Sequence, residues 1–103
     1  MNVSIVIPTY NRKPILIKCL HALENQKLNK LIDSYEIIVI DDGSTDGTTK
    51  WIKENQINLP HVVLYEQEHG GPALGRNLGV TKSIGDIIIF IDRKPFFKFK
   101  RKI

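Results

Sequence analysis

The feature that most constrains the fold of this sequence is a set of four short apolar runs that are continuous rather than alternating. They lie at residues 3–7 (VSIVI), 36–40 (EIIVI), 62–65 (VVLY) and 87–91 (IIIFI). A strand with one face in water alternates between apolar and polar residues, whereas a strand buried on both faces does not. The β-branched content of these runs favours strands. They therefore predict a sheet that is covered on both faces.

The segments between the runs have the pattern of helices. Apolar residues recur at helical spacing over residues 15–23. Pro14 suits the first turn of this helix, and Asn11 is predicted to cap it. Two further helices are predicted, one through Trp51 to about residue 55 and one over residues 73–82. The resulting order, β-α-β-α-β-α-β with buried strands, predicts an α/β fold with a mostly parallel sheet and helices on both faces.

The size and composition of the chain limit the kinds of protein to which it can belong. It has 103 residues, the size of one domain or of part of a larger one. We expect no membrane span, since no apolar run approaches the ~18–20 residues that a spanning helix needs. We also expect no signal peptide. The single cysteine, Cys19, excludes an internal disulfide framework and is expected in the core rather than as a nucleophile. A cytoplasmic location is the expectation.

The net charge of +4 is distributed unevenly. Residues 1–92 carry nine Lys and Arg against eleven Asp and Glu, whereas residues 93–103 carry six Lys and Arg and no acid. The charge therefore does not indicate nucleic-acid binding by the body of the domain. We predict an incomplete folded domain over 1–92 and a disordered, basic and aromatic tail over 93–103. Contact of this tail with an anionic membrane surface is the less favoured alternative.

Polar residues follow three of the predicted strands. They are residues 8–12 (PTYNR), residues 41–44 (DDGS) and Asp92. In open parallel α/β sheets, ligands bind beyond the carboxyl ends of the strands. These segments are therefore expected to converge on one site at one edge of the sheet.

Asp41 and Asp42 are adjacent, so in an extended segment their side chains point to opposite sides. One of them can then face a ligand while the other makes structural hydrogen bonds. The same tetrapeptide, Asp-Asp-Gly-Ser, is also a favourable turn and helix-entry sequence, and by itself this is the commoner meaning. Its position directly after a buried strand favours a site.

Other side chains also have two interpretations. Tyr10 is suited to stack on a planar ring, or to cover the edge of the sheet. Arg76, early in the third predicted helix, is suited to a pyrophosphate, or to a local carboxylate. The histidines His21, His61 and His69 are scattered without ligand spacing, and no metal is assigned to them.

Four blocks taken in order are more specific than any of these features alone. They are residues 3–12 (VSIVIPTYNR), 36–48 (EIIVIDDGSTDGT), 71–79 (GPALGRNLG) and 85–92 (GDIIIFID). This ordered set resembles the nucleotide-sugar-binding half of an inverting family 2 glycosyltransferase with the GT-A fold. The resemblance extends over nearly all of residues 1–92.

The resemblance implies a ligand and roles for particular residues. The donor would be a nucleotide-diphosphate sugar, typically UDP-linked, and the acceptor a glycan, lipid or protein. Pro8 and Tyr10 would line the base pocket, with Tyr10 stacking on the base. Asp42 would accept a hydrogen bond from the base, and Asp41 would support that turn. Arg76 would approach the nucleotide.

The resemblance further implies a metal. Asp92 matches the first acid of the family's D-x-D element, which holds the ribose and the Mg²⁺ or Mn²⁺ on the diphosphate. Such a cation stabilises the charge that develops on the leaving diphosphate. Here the element reads Asp92-Arg93-Lys94, and a lysine in place of the second acid repels a divalent cation.

The family pattern ends at Asp92 and the charge balance changes at Arg93. We therefore predict that residues 93–103 are not native family sequence and arise from a frameshift or a premature stop. The part of the family that carries the general base is absent, so no catalytic residue is predicted. The alternative to a glycosyltransferase is an inactive fragment or a nucleotide-binding module without turnover.

Overall fold

The computed structural model describes residues 1–27, 30–91 and 97–101, the last segment by its backbone. Within these ranges, the elements in chain order are β1 (Asn2–Thr9), α1 (Lys13–Glu24), β2 (Ser34–Asp41), α2 (Thr48–Glu54), β3 (Val62–Glu66), α3 (Pro72–Lys82), β4 (Ile87–Ile91) and β5 (Phe97–Arg101). A short 3₁₀ turn, Gln56–Asn58, follows α2. In this part of the chain, no helix combines the length and the apolarity needed to cross a membrane.

The strands form one sheet in the order β3-β2-β1-β4-β5. The pairs β1–β2, β1–β4 and β2–β3 are parallel, and β5 is antiparallel to β4. The prediction of a mostly parallel α/β sheet is thereby confirmed. Because β1, β2 and β3 run in the same direction, the loops that follow them lie at the same edge of the sheet.

Both faces of the sheet are covered, which explains why the strands are apolar at every position. On one face, β1 and β2 pack with residues from α1 and α2, and on the other they pack with residues from α3. The strand β4 contributes side chains to both faces. The first core contains Val3, Ile5, Ile7, Ile37, Val39, Leu16, Leu20 and Ile52, and the second contains Val6, Ile38, Ile40 and Ile88. Neighbouring residues of a strand thus enter opposite cores, as the pleat requires.

Two buried glycines let α3 lie close against the sheet. A Cβ atom added to Gly79 would lie 2.2 Å from Cγ1 of Val6, and one added to Gly75 would lie 3.3 Å from Cβ of Pro8. Only a residue without a side chain fits at Gly79. This close approach brings the loop before α3 over the carboxyl ends of β1 and β2.

The fifth strand corrects the prediction for the tail. Residues 93–103 are predicted to be disordered and the sheet to stop at β4, but the backbone of Phe97–Arg101 pairs with β4. The sequence of this segment, FKFKR, alternates with the period of a strand. Pairing also supplies hydrogen-bond partners to an edge that would otherwise be open. The origin of residues 93–103 stays a prediction.

The prediction that Asn11 caps α1 is wrong. Arg12 is the N-cap residue, and its side chain makes no capping hydrogen bond. Asn11 instead adopts a left-handed conformation with φ 48°. Its Oδ1 accepts a hydrogen bond from the N–H of Thr45 at 2.7 Å, and its own N–H donates to Oγ of Ser44 at 2.9 Å. Asn11 therefore connects the loop after β1 to the loop after β2.

Candidate functional site

An open cleft of about 200 Å³ lies at the carboxyl ends of β1 and β2. Its lining residues come from three regions: the end of β1 and the residues after it, the end of β2 and the residue after it, and the loop between β3 and α3 with the start of α3. They are Pro8, Thr9, Tyr10, Arg12, Ile40, Asp42, Gln67, His69, Gly71, Pro72 and Gly75. The parallel sheet places the first two regions side by side, and the close packing of α3 adds the third. Pro8, Tyr10 and Asp42 all line this cleft, and their part in nucleotide binding stays a prediction.

Asp42 makes the most hydrogen bonds in the cleft, although its side chain is only 8% exposed. Its Oδ1 accepts hydrogen bonds from Nε2 of Gln67 and from the N–H of Gly70, both at 2.8 Å. Its Oδ2 accepts from the N–H of Gly71 at 3.1 Å and lies 3.0 Å from Nδ1 of His69. The carboxylate thus accepts three hydrogen bonds and has an imidazole nitrogen at ion-pair distance. Asp42 therefore holds the whole loop before α3 in place.

These contacts also determine the charge of Asp42. Burial acts to raise its pKa, but the hydrogen bonds from Gly70, Gln67 and Gly71 and the nearby His69 outweigh this effect. The pKa of Asp42 is therefore lowered, since each donor stabilises the ionised form. At neutral pH the cleft contains a buried carboxylate with a negative charge.

Tyr10 contributes an aromatic ring to the same cleft. The residue is 39% exposed, so part of its ring is accessible. The centroid of the ring lies 4.7 Å from that of His69, with the two planes tilted by 45°. His69 thus contacts both Tyr10 and Asp42.

Asp41 lies outside the lining of the cleft. It is buried, and its Oδ2 accepts a hydrogen bond from the N–H of Ser44 at 2.9 Å. Its Oδ1 has no hydrogen-bond partner among the described residues. The two adjacent carboxylates thus differ in their contacts: Asp42 binds the loop of the cleft, and Asp41 holds the turn after β2.

The remaining predicted site residues are not in the described cleft. Arg76 is half-buried on α3, next to Gly75, and is not among the residues that line the cleft. Asp92, Arg93 and Lys94 lie outside the described residues. Among the residues that are described, no group of three or more His, Cys, Asp or Glu is arranged to hold a metal ion. The metal prediction therefore depends on Asp92 and stays a prediction, and we assign no step to a metal.

Two residues of the cleft, Gln67 and His69, were not predicted from the sequence. The predicted site residues follow β1, β2 and β4 or lie on α3, whereas Gln67 and His69 follow β3. The carboxyl end of β3 lies at the same edge of the sheet as those of β1 and β2, so the region after β3 is also expected near a ligand. This expectation does not indicate which groups of that region contact Asp42.

Comparison with known proteins identifies the family. Residues 4–93 match the model of glycosyl transferase family 2. The chain is 37% identical over 98 residues to a poly(ribitol-phosphate) beta-glucosyltransferase of Bacillus spizizenii, a match that covers 93% of this chain and 15% of that protein. It is 33% identical over 98 residues to TarS of Staphylococcus aureus, a poly(ribitol-phosphate) beta-N-acetylglucosaminyltransferase, covering 93% of this chain and 17% of that protein.

Solved structures have the same fold. A crystal structure of S. aureus TarS 1–349 in complex with UDP-GlcNAc superimposes with a TM-score of 0.76 at 30% identity, covering 89% of this chain and 26% of that one. A mannosyltransferase of Pyrobaculum calidifontis, in complex with GDP-Man and Mn²⁺, gives 0.73 at 28% identity, covering 87% of this chain and 26% of that one. The chain spans less than a third of the length of these proteins. Its sheet is that of the GT-A fold, and the chain belongs to glycosyl transferase family 2.

Proposed function

We propose that the cleft binds the nucleotide of a nucleotide-diphosphate sugar and that these residues form the donor-binding part of an inverting glycosyltransferase. The observation that carries the proposal is the presence of Tyr10 and Asp42 in one cleft at the carboxyl ends of β1 and β2. An accessible aromatic ring beside an ionised carboxylate matches a planar base that has an N–H donor. The complexes of TarS with UDP and UDP-GlcNAc support UDP as the nucleotide.

The two proposed contacts contribute differently. Stacking on the Tyr10 ring recognises the plane of any base, and such contacts are worth about 1–3 kcal/mol per base. A hydrogen bond to Asp42 selects a base whose edge carries an N–H at the right position, as uracil does. A charged acceptor makes this bond stronger than one between neutral groups. The pair therefore accounts for both affinity and choice of base.

The diphosphate requires positive charge, and the loop before α3 is not its source. The N–H groups of Gly70 and Gly71 donate to Asp42, and the next residue, Pro72, has no N–H. Arg12 lines the cleft and brings a cation to it. Among the described residues, Arg12 is best suited to bind a phosphate, together with Arg76, which is predicted to approach the nucleotide.

Sugar transfer is proposed for a complete protein that contains this domain. The relatives are three or more times longer than the matched segment, and no described residue is assigned as the general base that would deprotonate the acceptor. The alternative is a nucleotide-binding module without turnover, which the lysine at position 94 favours because it replaces an acid of the metal-binding element.

The test is a calorimetric titration of the 103-residue chain with UDP, with ADP as the control ligand. We expect the wild type to bind UDP more tightly than ADP. Tyr10→Ala should weaken UDP binding by about tenfold or more, because the stacking surface is lost. Ile57→Ala serves as the control variant, since Ile57 is 89% exposed on the turn after α2 and does not line the cleft.

Two results would contradict the proposal. One is a folded wild-type chain, verified by circular dichroism, that gives no heat with UDP. The other is a Tyr10→Ala variant that binds UDP as tightly as Ile57→Ala.

A further inference from the structure

His69 contacts both side chains that are proposed to bind the base. Its Nδ1 lies 3.0 Å from Oδ2 of Asp42, at ion-pair distance, and forms a hydrogen bond of 3.3 Å with the backbone carbonyl oxygen of the same residue. Its ring lies 4.7 Å, centroid to centroid, from the ring of Tyr10. The imidazole thus lies against the Tyr10 ring and beside the Asp42 carboxylate.

A base and the imidazole cannot make these contacts together. The centroid distance of 4.7 Å leaves no room for a second ring between Tyr10 and His69. Three acceptor positions of the Asp42 carboxylate are taken by the backbone N–H groups of Gly70 and Gly71 and by Gln67, and Nδ1 of His69 lies 3.0 Å from Oδ2. One of these four groups has to leave before a base can bind the carboxylate.

His69 is the group that can leave most easily. Its side chain is 66% exposed, whereas that of Asp42 is 8% exposed. Rotation of the imidazole into solvent changes only side-chain angles. By contrast, withdrawal of the Gly70 or Gly71 N–H would require the loop before α3 to move.

We propose, on the basis of the proposed function, that His69 is an internal competitor for the base position. The imidazole closes the cleft when no nucleotide is bound and swings out when the base binds between Tyr10 and Asp42. The measured affinity for nucleotide is then the intrinsic affinity multiplied by the fraction of molecules in which His69 is out.

The test compares the UDP affinities of wild type, His69→Ala and His21→Ala by calorimetry at neutral pH. His21 is an exposed histidine on α1 beside Trp51, and it is the matched control. We expect His69→Ala to bind UDP about three- to tenfold more tightly than wild type, because no imidazole then competes with the base. His21→Ala should bind UDP as tightly as the wild type.

A second measurement detects the displacement directly. Nuclear Overhauser contacts between the Tyr10 and His69 rings should be present without ligand and disappear when UDP is saturating. Contacts that persist at saturating UDP would overturn the inference. So would a His69→Ala variant whose affinity for UDP is equal to or weaker than that of wild type.

These outcomes separate the two proposals. If wild type and His69→Ala both fail to bind UDP, the proposed function fails and the inference fails with it. If wild type binds UDP and Tyr10→Ala weakens that binding, but His69→Ala brings no gain, the proposed function stands and only the role of His69 is overturned.

Discussion

Asp42 and Asp46 lie four residues apart in the segment after β2, and they show how similar electrostatics serve different purposes. Both carboxylates accept several hydrogen bonds. In both, the donors outweigh the opposing effect of burial, so that each pKa is lowered. The donors to Asp42 come from the loop before α3, in the cleft. Those to Asp46 are the backbone N–H groups of Lys13 and Thr48 and the hydroxyl of Thr48, at the starts of α1 and α2.

The difference lies in what each carboxylate connects. Asp46 joins two helix starts and is exposed, away from the cleft lining. Asp42 is buried and faces a cleft beside an aromatic ring. A lowered pKa and a set of hydrogen bonds therefore do not identify a ligand site by themselves, because structural carboxylates have both. The position of the donors and the neighbouring cavity make the distinction.

The largest effect predicted from this comparison is on binding. Asp42→Ala should abolish UDP binding, because it removes the acceptor for the base and releases the loop before α3. Asp46→Ala should bind UDP as the wild type does. Calorimetry with all three proteins at neutral pH measures this difference directly.

Asp42→Asn adds a variant of nearly the same shape, in case Asp42→Ala disturbs the loop too strongly. It keeps one acceptor oxygen but loses the charge, so it should weaken UDP binding without abolishing the fold. Equal UDP affinities for wild type, Asp42→Ala and Asp42→Asn would remove Asp42 from the site.

The second prediction concerns stability. Asp46→Ala should lower the free energy of unfolding by about 1–2 kcal/mol, since it leaves the first N–H groups of two helices without their acceptor. Urea unfolding followed by circular dichroism measures the change. Glu54→Ala, on the exposed side of α2 in an i,i+4 pair with Lys50, is the control and should change stability by less than about 0.5 kcal/mol. A smaller loss for Asp46→Ala than for Glu54→Ala would show that Asp46 does not join the helices.

The fold was largely predictable, because burial on both faces leaves a continuous apolar run in each central strand. The four runs became β1 to β4, with ends shifted by one or two residues. The strand β5 was not predicted, because a basic and aromatic composition after Pro95 is typical of a disordered tail. The strand β5 pairs with the free edge of β4. That edge exists only once the other strands have formed the sheet, so it cannot be seen in the local sequence.

The candidate site was predictable in part. Pro8, Tyr10 and Asp42 follow directly from the ends of β1 and β2. The donors to Asp42 could not be read from local pattern, because Gln67, Gly70 and Gly71 lie 25 to 29 residues further along the chain. Their position depends on how α3 packs against the sheet at Gly79, which is a property of the assembled fold.

The smallest predicted effect concerns how the two carboxylates make the free energy of unfolding depend on pH. Because the folded-state pKa of Asp42 and of Asp46 is lowered, the unfolded chain binds protons more tightly at these positions. Their contribution to stability is therefore complete above the ordinary aspartate pKa of about 3.9 and is lost as the pH falls through the lowered values. The free energy of unfolding should fall less steeply between about pH 5 and pH 2.5 for Asp46→Ala than for wild type, whereas Ile57→Ala keeps both carboxylates and should run parallel to wild type. If the Asp46→Ala curve were parallel to that of wild type, the contacts with Lys13 and Thr48 would not favour the ionised form of Asp46. Asp42 would then differ from Asp46 in the effect of its hydrogen bonds on the pKa as well as in its position.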